Sequence, residues 1–361
     1  MQIQKHQNIE FLRFIMSIII VYFHMIGSNI SKYVSNPIYN ELGKLCNNSY
    51  LCVEMFFIIA GFFLYKSSQK EISFSKFTID KIARLWPMLF ASIVITLIFK
   101  IFHFNNANGY TLFINSFFLQ SIGVSLDYKG INWFISPFFW VMLFYFYLAK
   151  NYKEKNVLLA ISLLVYFSLV GLINRFNGGF GRETFEIFFN GGVCRALSHI
   201  GIGFLIGKAL SNIEFKKTTK KDLSFFIISL IEITICGFIL YHFLAHPITY
   251  SNKLIFSIIF CILFICFIAK KGIISQLLEN NVSQFLGKYS YSLYVMQQCL
   301  FWLLGATLWK SKTFVDMHPI INISLSLMLS FIISMGLYHI IEKPAQKLLK
   351  NKLSKIIKEE K

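Results

Sequence analysis

A chain of 361 residues that is 56% hydrophobic and only 14% charged, with mean hydropathy +0.60, is too apolar to be a soluble globular protein of this length. Its net charge of +18 invites nucleic acid as a partner. The cations, however, lie mostly in short connections between apolar stretches, which argues against that class.

Predominantly apolar segments of spanning length recur along the chain and predict ten transmembrane helices, at 11–30, 50–66, 84–104, 131–149, 156–174, 193–210, 223–244, 253–270, 289–308 and 320–341. Thr111 to Ser121 reads as a re-entrant or interfacial piece. An even number of spans puts both termini on one side. The connections on that side carry 24 of the 35 Lys and Arg residues and the opposite connections carry 10, which predicts cytoplasmic termini. The expected fold is therefore an all-α integral membrane bundle of about ten helices. Residues 1–342 form a single membrane domain, followed by a basic cytoplasmic tail, 343–361. Leu348, Leu349, Leu353, Ile356 and Ile357 in that tail suit an amphipathic helix on the inner leaflet.

The first span is long, carries charge and lacks a small-residue cleavage site, so it reads as retained rather than as a signal peptide. The seven cysteines show no metal-ligand spacing. Cys194, Cys236, Cys261, Cys266 and Cys299 read as small hydrophobes, and Cys46 and Cys52 are close enough for a short disulfide in an oxidising compartment. No segment is large enough for a separate soluble catalytic domain, so any chemistry belongs to the helix bundle.

Arg13 and His24 share the first apolar segment with ten residues between them. Eleven steps of 100° return to within about 20° of the start, so both side chains lie on one helix face, about 16 Å apart along the axis. Ionisable groups inside a membrane helix are costly and usually face a bundle interior or a wet cavity. His24 is the leading candidate base, because burial favours the neutral imidazole that accepts a proton from a hydroxyl. Arg13, near the cytoplasmic edge, either binds an anion or snorkels. Glu54 falls within about 3 Å of the depth of His24 when both are counted from the outer edge. It either orients the imidazole, as the acid does in a hydrolase triad, or faces the interface as an ordinary charge.

Lys66, Lys70, Lys76, Lys81 and Arg84 form a basic cluster, with Pro87 placed for a first helical turn and Trp86 for the interface. Positive-inside anchoring explains most of the lysines; Arg84 and Lys81 are the candidates for attracting a phosphorylated ligand. Tyr289, Ser290, Tyr291, Ser292 and Tyr294, followed by Gln297 and Gln298, supply groups that bind a polyhydroxyl acceptor or join helices. Pro344, after Glu342 and Lys343, is expected to end the last span. His199 is a competing buried histidine, without a matching cation along its own helix face.

These residues resemble a known family, the acyltransferase-3 family of polytopic bacterial membrane acyltransferases. IEFLRFIMSIIIVYFHM is similar to its first-helix motif, with Arg13 and His24 in the arginine–ten–histidine positions. VEMFFIIAGFFL resembles the second-helix motif ending near Gly61, and FTIDKIARLWPMLF the basic segment that follows, with Arg84 and Pro87 in place. FLGKYSYSLYVMQ and IEKP resemble the late serine–tyrosine motif and the C-terminal signature. Members often have histidine where this chain has Gln297, which hydrogen-bonds but does not titrate. The resemblance implies transfer of an acyl group, commonly acetyl, from cytoplasmic acyl-CoA to a hydroxyl of a cell-surface glycan or glycolipid at a bacterial plasma membrane. His24 and Glu54 would then be catalytic, Arg13, Lys81 and Arg84 would bind the donor, and Tyr291 and Gln297 would bind the acceptor. A thioester needs a positioned base and oxyanion donors rather than a metal.

Two other readings stay open. A flippase for a polysaccharide or lipid-linked sugar also places polar groups at the midplane, though many transporters show inverted repeats and helices broken by Gly or Pro. The other large class of membrane O-acyltransferases would use His199.

Overall fold

The computed structural model describes residues 6–28, 30, 36–44, 48–104, 109–120, 122, 131–176, 184–185, 189–215, 222–244 and 253–359. In chain order the helices are α1 (Gln7–Ser28), α2 (Ile38–Lys44), α3 (Cys52–Ser68), α4 (Phe74–Phe104), α5 (Gly109–Ser116), α6 (Ile135–Asn151), α7 (Glu154–Phe176) and α8 (Gly191–Ala209). They continue as α9 (Leu223–Leu244), α10 (Lys253–Ala269), α11 (Ile273–Leu277), α12 (Asn281–Gly287), α13 (Ser290–Ala306), α14 (Lys312–Met317), α15 (Pro319–Leu337) and α16 (Lys343–Glu359). Short 3₁₀ turns at Ser49–Leu51 and Ile131–Phe134 lead into α3 and α6, and a two-residue strand pair, Thr184–Phe185 with Phe189–Asn190, precedes α8. The pair of cysteines considered for a disulfide is not addressed, because Cys46 lies outside the described residues.

Helices occur at all ten expected places, and among the described residues seven are long and apolar enough to cross a membrane. The three that fall short have simple reasons. The helices α10 and α13 have 17 residues each, and α8 carries Arg195, His199 and five glycines within 19 residues. The outward faces are apolar: Phe167 is 63% exposed on α7 and Leu230 67% on α9, surfaces that only lipid or another apolar body would cover.

Two boundaries differ from expectation. The third span was expected to begin at Arg84, but α4 begins at Phe74, so Pro87 lies inside the helix instead of in its first turn. Hydropathy misses the extra turns because they carry Lys76, Asp80 and Lys81; Asp80 is paired with Lys350 of α16 at 2.8 Å. Pro344 does not end the last span either. A π-turn at Tyr338–Glu342 lets the Lys343 N–H reach the Tyr338 carbonyl, and Pro344 then falls in the first turn of α16, where no N–H is required.

The chain divides into two compact units. The first comprises Met1–Met55, Asn212–Tyr294 and Leu303–Ile332. Here α1 is the central element. Asn8, fully buried, donates its side-chain amide to the carbonyls of Phe267 (2.7 Å) and Ser275 (3.3 Å), and its backbone N–H to Glu279, which also binds Lys270 at 2.7 Å. Phe14 meets Phe331 edge to face at 5.3 Å, and Tyr289 meets the same ring at 5.9 Å. Tyr39 joins α2 to Val315 and Asn322 by hydrogen bonds of 2.8 and 3.0 Å.

The second unit comprises Phe56–Ser211, Val295–Trp302 and Ile333–Lys361. A close crossing joins α3 and α8. A Cβ on Gly61 would overlap the Ile200 carbonyl and stand 2.8 Å from the Phe204 nitrogen; one on Gly203 would overlap the Ile58 carbonyl. Gly207, four residues on, accommodates the Tyr65 side chain. Small residues four apart thus let two backbones touch, the usual means of close packing where lipid tails supply no hydrophobic drive between helices. Phe77 of α4 stacks on Phe146 of α6 with centroids 3.8 Å apart.

Candidate active site

Arg13 and His24 lie on α1 as the spacing requires, and the face they share points inward. Between them on that face are Ser17, at 0% exposure, and Ile20, at 1%. Arg13 and His24 themselves are half-buried, so neither is sealed in packing nor turned outward. The Ser17 hydroxyl is shared between the carbonyls of Arg13 (3.0 Å) and Ser290 (3.1 Å), which clasps the start of α13 to α1 one turn above Arg13. Tyr291, the next residue, is half-buried. Tyr22 donates its hydroxyl to Leu42 O at 3.0 Å, fixing the upper part of α1 against α2.

Glu54 sits in the first turn of α3 and is 1% exposed, so the interfacial reading, in which it meets headgroups or water, does not describe it. The 3₁₀ turn before it, Ser49–Leu51, packs against α1. Arg13, His24, Glu54 and Tyr291 all belong to the first unit.

Lys81, Arg84 and Gln297 belong to the second unit. Arg84 is exposed, and the Lys81 ammonium stands 5.0 Å from the Phe77 ring centroid. Gln297 is fully buried, and neither atom of its side-chain amide has a hydrogen-bond partner among the described residues. Burying an amide without partners is unfavourable by about 1–3 kcal/mol on protein scales, so this one is suited to a ligand or to water.

Sequence reasoning missed two residues. Glu10 places both carboxylate oxygens 3.1 Å from Arg13 Nη1, and Gly287 makes room for it, since a Cβ there would stand 2.7 Å from Glu10 Oε2. The pair uses one guanidinium nitrogen; the i, i+3 spacing was the available signal. Arg195 is the second. It lies within α8, is 3% exposed and stacks over Trp133 at 4.7 Å. It stands one turn before His199, whose Nδ1 is 2.9 Å from Arg195 O. His199 therefore does have a cation along its own helix face, contrary to expectation.

The comparison with known families decides what this arrangement belongs to: the acyltransferase domain matches residues 6–339, nearly the whole chain. The chain belongs to the acyltransferase-3 family. It is thus an acyltransferase built on several apolar helices, and the resemblance of its motifs is borne out. The matched span includes Arg13, His24, Glu54, Lys81, Arg84, Tyr291 and Gln297. No curated protein and no solved structure matches the chain.

Proposed function

We propose that this acyltransferase moves an acyl group, acetyl in the simplest case, from cytoplasmic acyl-CoA to a hydroxyl of a cell-surface glycan or glycolipid. The observation that carries the reading is the inward face of α1, where a half-buried guanidinium and a half-buried imidazole flank Ser17 and Ile20. In this reading the chain crosses the plasma membrane of a bacterium ten times, with both termini in the cytoplasm. Arg13, Lys81 and Arg84 attract donor phosphates, and Tyr291 and Gln297 hydrogen-bond the acceptor.

His24 takes the proton of the acceptor hydroxyl as its oxygen attacks the thioester carbonyl. Buried Glu54 favours the imidazolium that forms. Collapse of the tetrahedral intermediate breaks the carbon–sulfur bond, and the proton passes from His24 to the departing CoA thiolate. The products are an ester and free CoA, and no other reactant is consumed.

The test supplies membranes carrying the protein with [acetyl-¹⁴C]CoA and identifies which glycan acquires label. Label should enter an alkali-labile ester, persist with His199→Ala and disappear with His24→Ala. Loss only with His199→Ala would move the site to α8, and acceptor translocation without any label transfer by the unmodified protein would make it a flippase.

A further inference from the structure

The segment between α4 and α6 does not simply cross outside the bundle. After α4 the chain returns along that helix as α5, and Trp86 Nε1 donates to the Ser116 carbonyl at 3.0 Å. Trp86 lies two residues beyond Arg84, the last cation before the uncharged run Leu85–Phe99, so the end of α5 meets α4 where that run begins. The chain then turns within the second unit. Leu119 N–H bonds Ile114 O at 2.9 Å, and Phe118 takes the left-handed conformation (φ 57°) that usually falls to glycine at a helix end. The turn is held from α6. Trp140 Nε1 donates to Phe118 O at 2.8 Å, the Ser136 hydroxyl donates to the same oxygen, and the Phe118 ring stacks on Phe139 at 4.3 Å. Non-helical backbone beside a membrane-spanning helix is tolerated where protein buries it or where it lines a polar cavity.

Two side chains on this turn are not accounted for by its packing. Gln120 is 0% exposed, and neither its amide nitrogen nor its amide oxygen has a hydrogen-bond partner among the described residues. The buried Ser116 hydroxyl has none either. Together they offer three donor hydrogens and two acceptor oxygens, all neutral. That set is wrong for a phosphate or a cation. It matches a neutral chain that presents N–H and C=O groups in turn.

We infer that the re-entrant turn Ser116–Gln120 is a binding site for the amide-bearing pantetheine arm of the acyl donor. This rests on the donor being acyl-CoA, as proposed above. Phosphates stay with the cations because of their charge, whereas a neutral diamide arm can extend past them towards the apolar run. The turn is bonded to α4 two residues beyond Arg84, the cation assigned to those phosphates. Sugar hydroxyls of the acceptor share the same neutral hydrogen-bonding chemistry, and the experiment separates the two sources.

The full-length protein in detergent is heated with CoA, with pantetheine, or with adenosine 3′,5′-bisphosphate, and the shift in melting temperature is read for the unmodified protein, Gln120→Met and Ser116→Ala. Steady-state KM values for acetyl-CoA and acceptor are measured alongside. For Gln120→Met we expect protection by pantetheine to vanish, protection by the bisphosphate to persist, and the acetyl-CoA KM to rise about tenfold, with acceptor KM and the ligand-free melting temperature unchanged or improved. Ser116→Ala should move the same readouts less. A rise confined to acceptor KM overturns the donor assignment, as does unchanged pantetheine protection in Gln120→Met. Absence of any CoA effect on the unmodified protein overturns the acyl-CoA reading itself, a result distinct from failure at Gln120.

Discussion

Arg13 Nη1 lies 3.1 Å from both carboxylate oxygens of Glu10, one turn earlier on α1. The two side chains are 20% and 35% exposed, and pairs of this kind contribute at most about 1 kcal/mol to stability. The contact matters for what Arg13 can bind. Glu10 occupies part of the guanidinium and competes with any incoming anion. Arg13→Ala should raise the acyl-CoA KM by about tenfold or more, whereas Glu10→Gln should lower it by about two- to fivefold, since a local negative charge is removed. Steady-state kinetics on both variants would decide. A rise in KM for Glu10→Gln as well would mean that the carboxylate orients Arg13 rather than competing for it.

His24 and Glu54 should separate turnover from donor binding. His24→Ala is expected to reduce kcat by about 10²–10⁴-fold with the acyl-CoA KM nearly unchanged, the range usual for a removed general base. Glu54→Gln keeps the shape of a fully buried side chain but removes the charge that favours imidazolium, and kcat should fall by at least about tenfold. Equal weakening of donor binding in Arg13→Ala and His24→Ala, measured by isotope-labelled CoA binding, would make α1 a structural element and not a reaction face.

The parts of this molecule legible in the sequence are those set by one element at a time. The α1 face follows from eleven residues of helical spacing, and buried Ser17 and Ile20 show that it points inward. What escaped needed a partner distant in the chain. The first turns of α4 look polar until Asp80 meets Lys350. Arg195 is one charge within an expected span until Trp133 is placed beneath it, and Gln120 is one polar residue of an expected re-entrant or interfacial piece until α6 holds its turn. Pro344, expected to end the last span, instead follows a π-turn and falls in the first turn of α16, where no N–H is required.

The α3–α8 crossing predicts that Gly203 and Gly237 respond in opposite ways to the same substitution. A Cβ on Gly203 meets the Ile58 carbonyl, which can move only if two helix backbones part, so Gly203→Ala should destabilise by about 1–3 kcal/mol. Gly237 of α9 has no atom within 4 Å of its would-be Cβ, and Gly237→Ala should stabilise by about 0.5–1 kcal/mol through reduced backbone freedom. Melting temperature in detergent reads both. A neutral Gly203→Ala would show that the two helices do not approach this closely.

Glu232 predicts a coupled pair. It is fully buried in α9, and its Oε2 accepts the N–H groups of Ile274 (2.8 Å) and Ser275 (3.1 Å) at the start of α11, while Ser229 accepts that of Ile273 at 3.0 Å. Glu232→Ala leaves two N–H groups at the start of α11 without their acceptor, a loss of about 1–3 kcal/mol for each group that stays dry. Gly272 lies directly against the carboxylate, which any Cβ there would overlap, so Gly272→Ala should destabilise for a steric reason. Because the clash needs the carboxylate, Gly272→Ala added to Glu232→Ala should cost much less than it does alone. Additive losses in thermal denaturation of the four proteins would mean that the two residues do not meet.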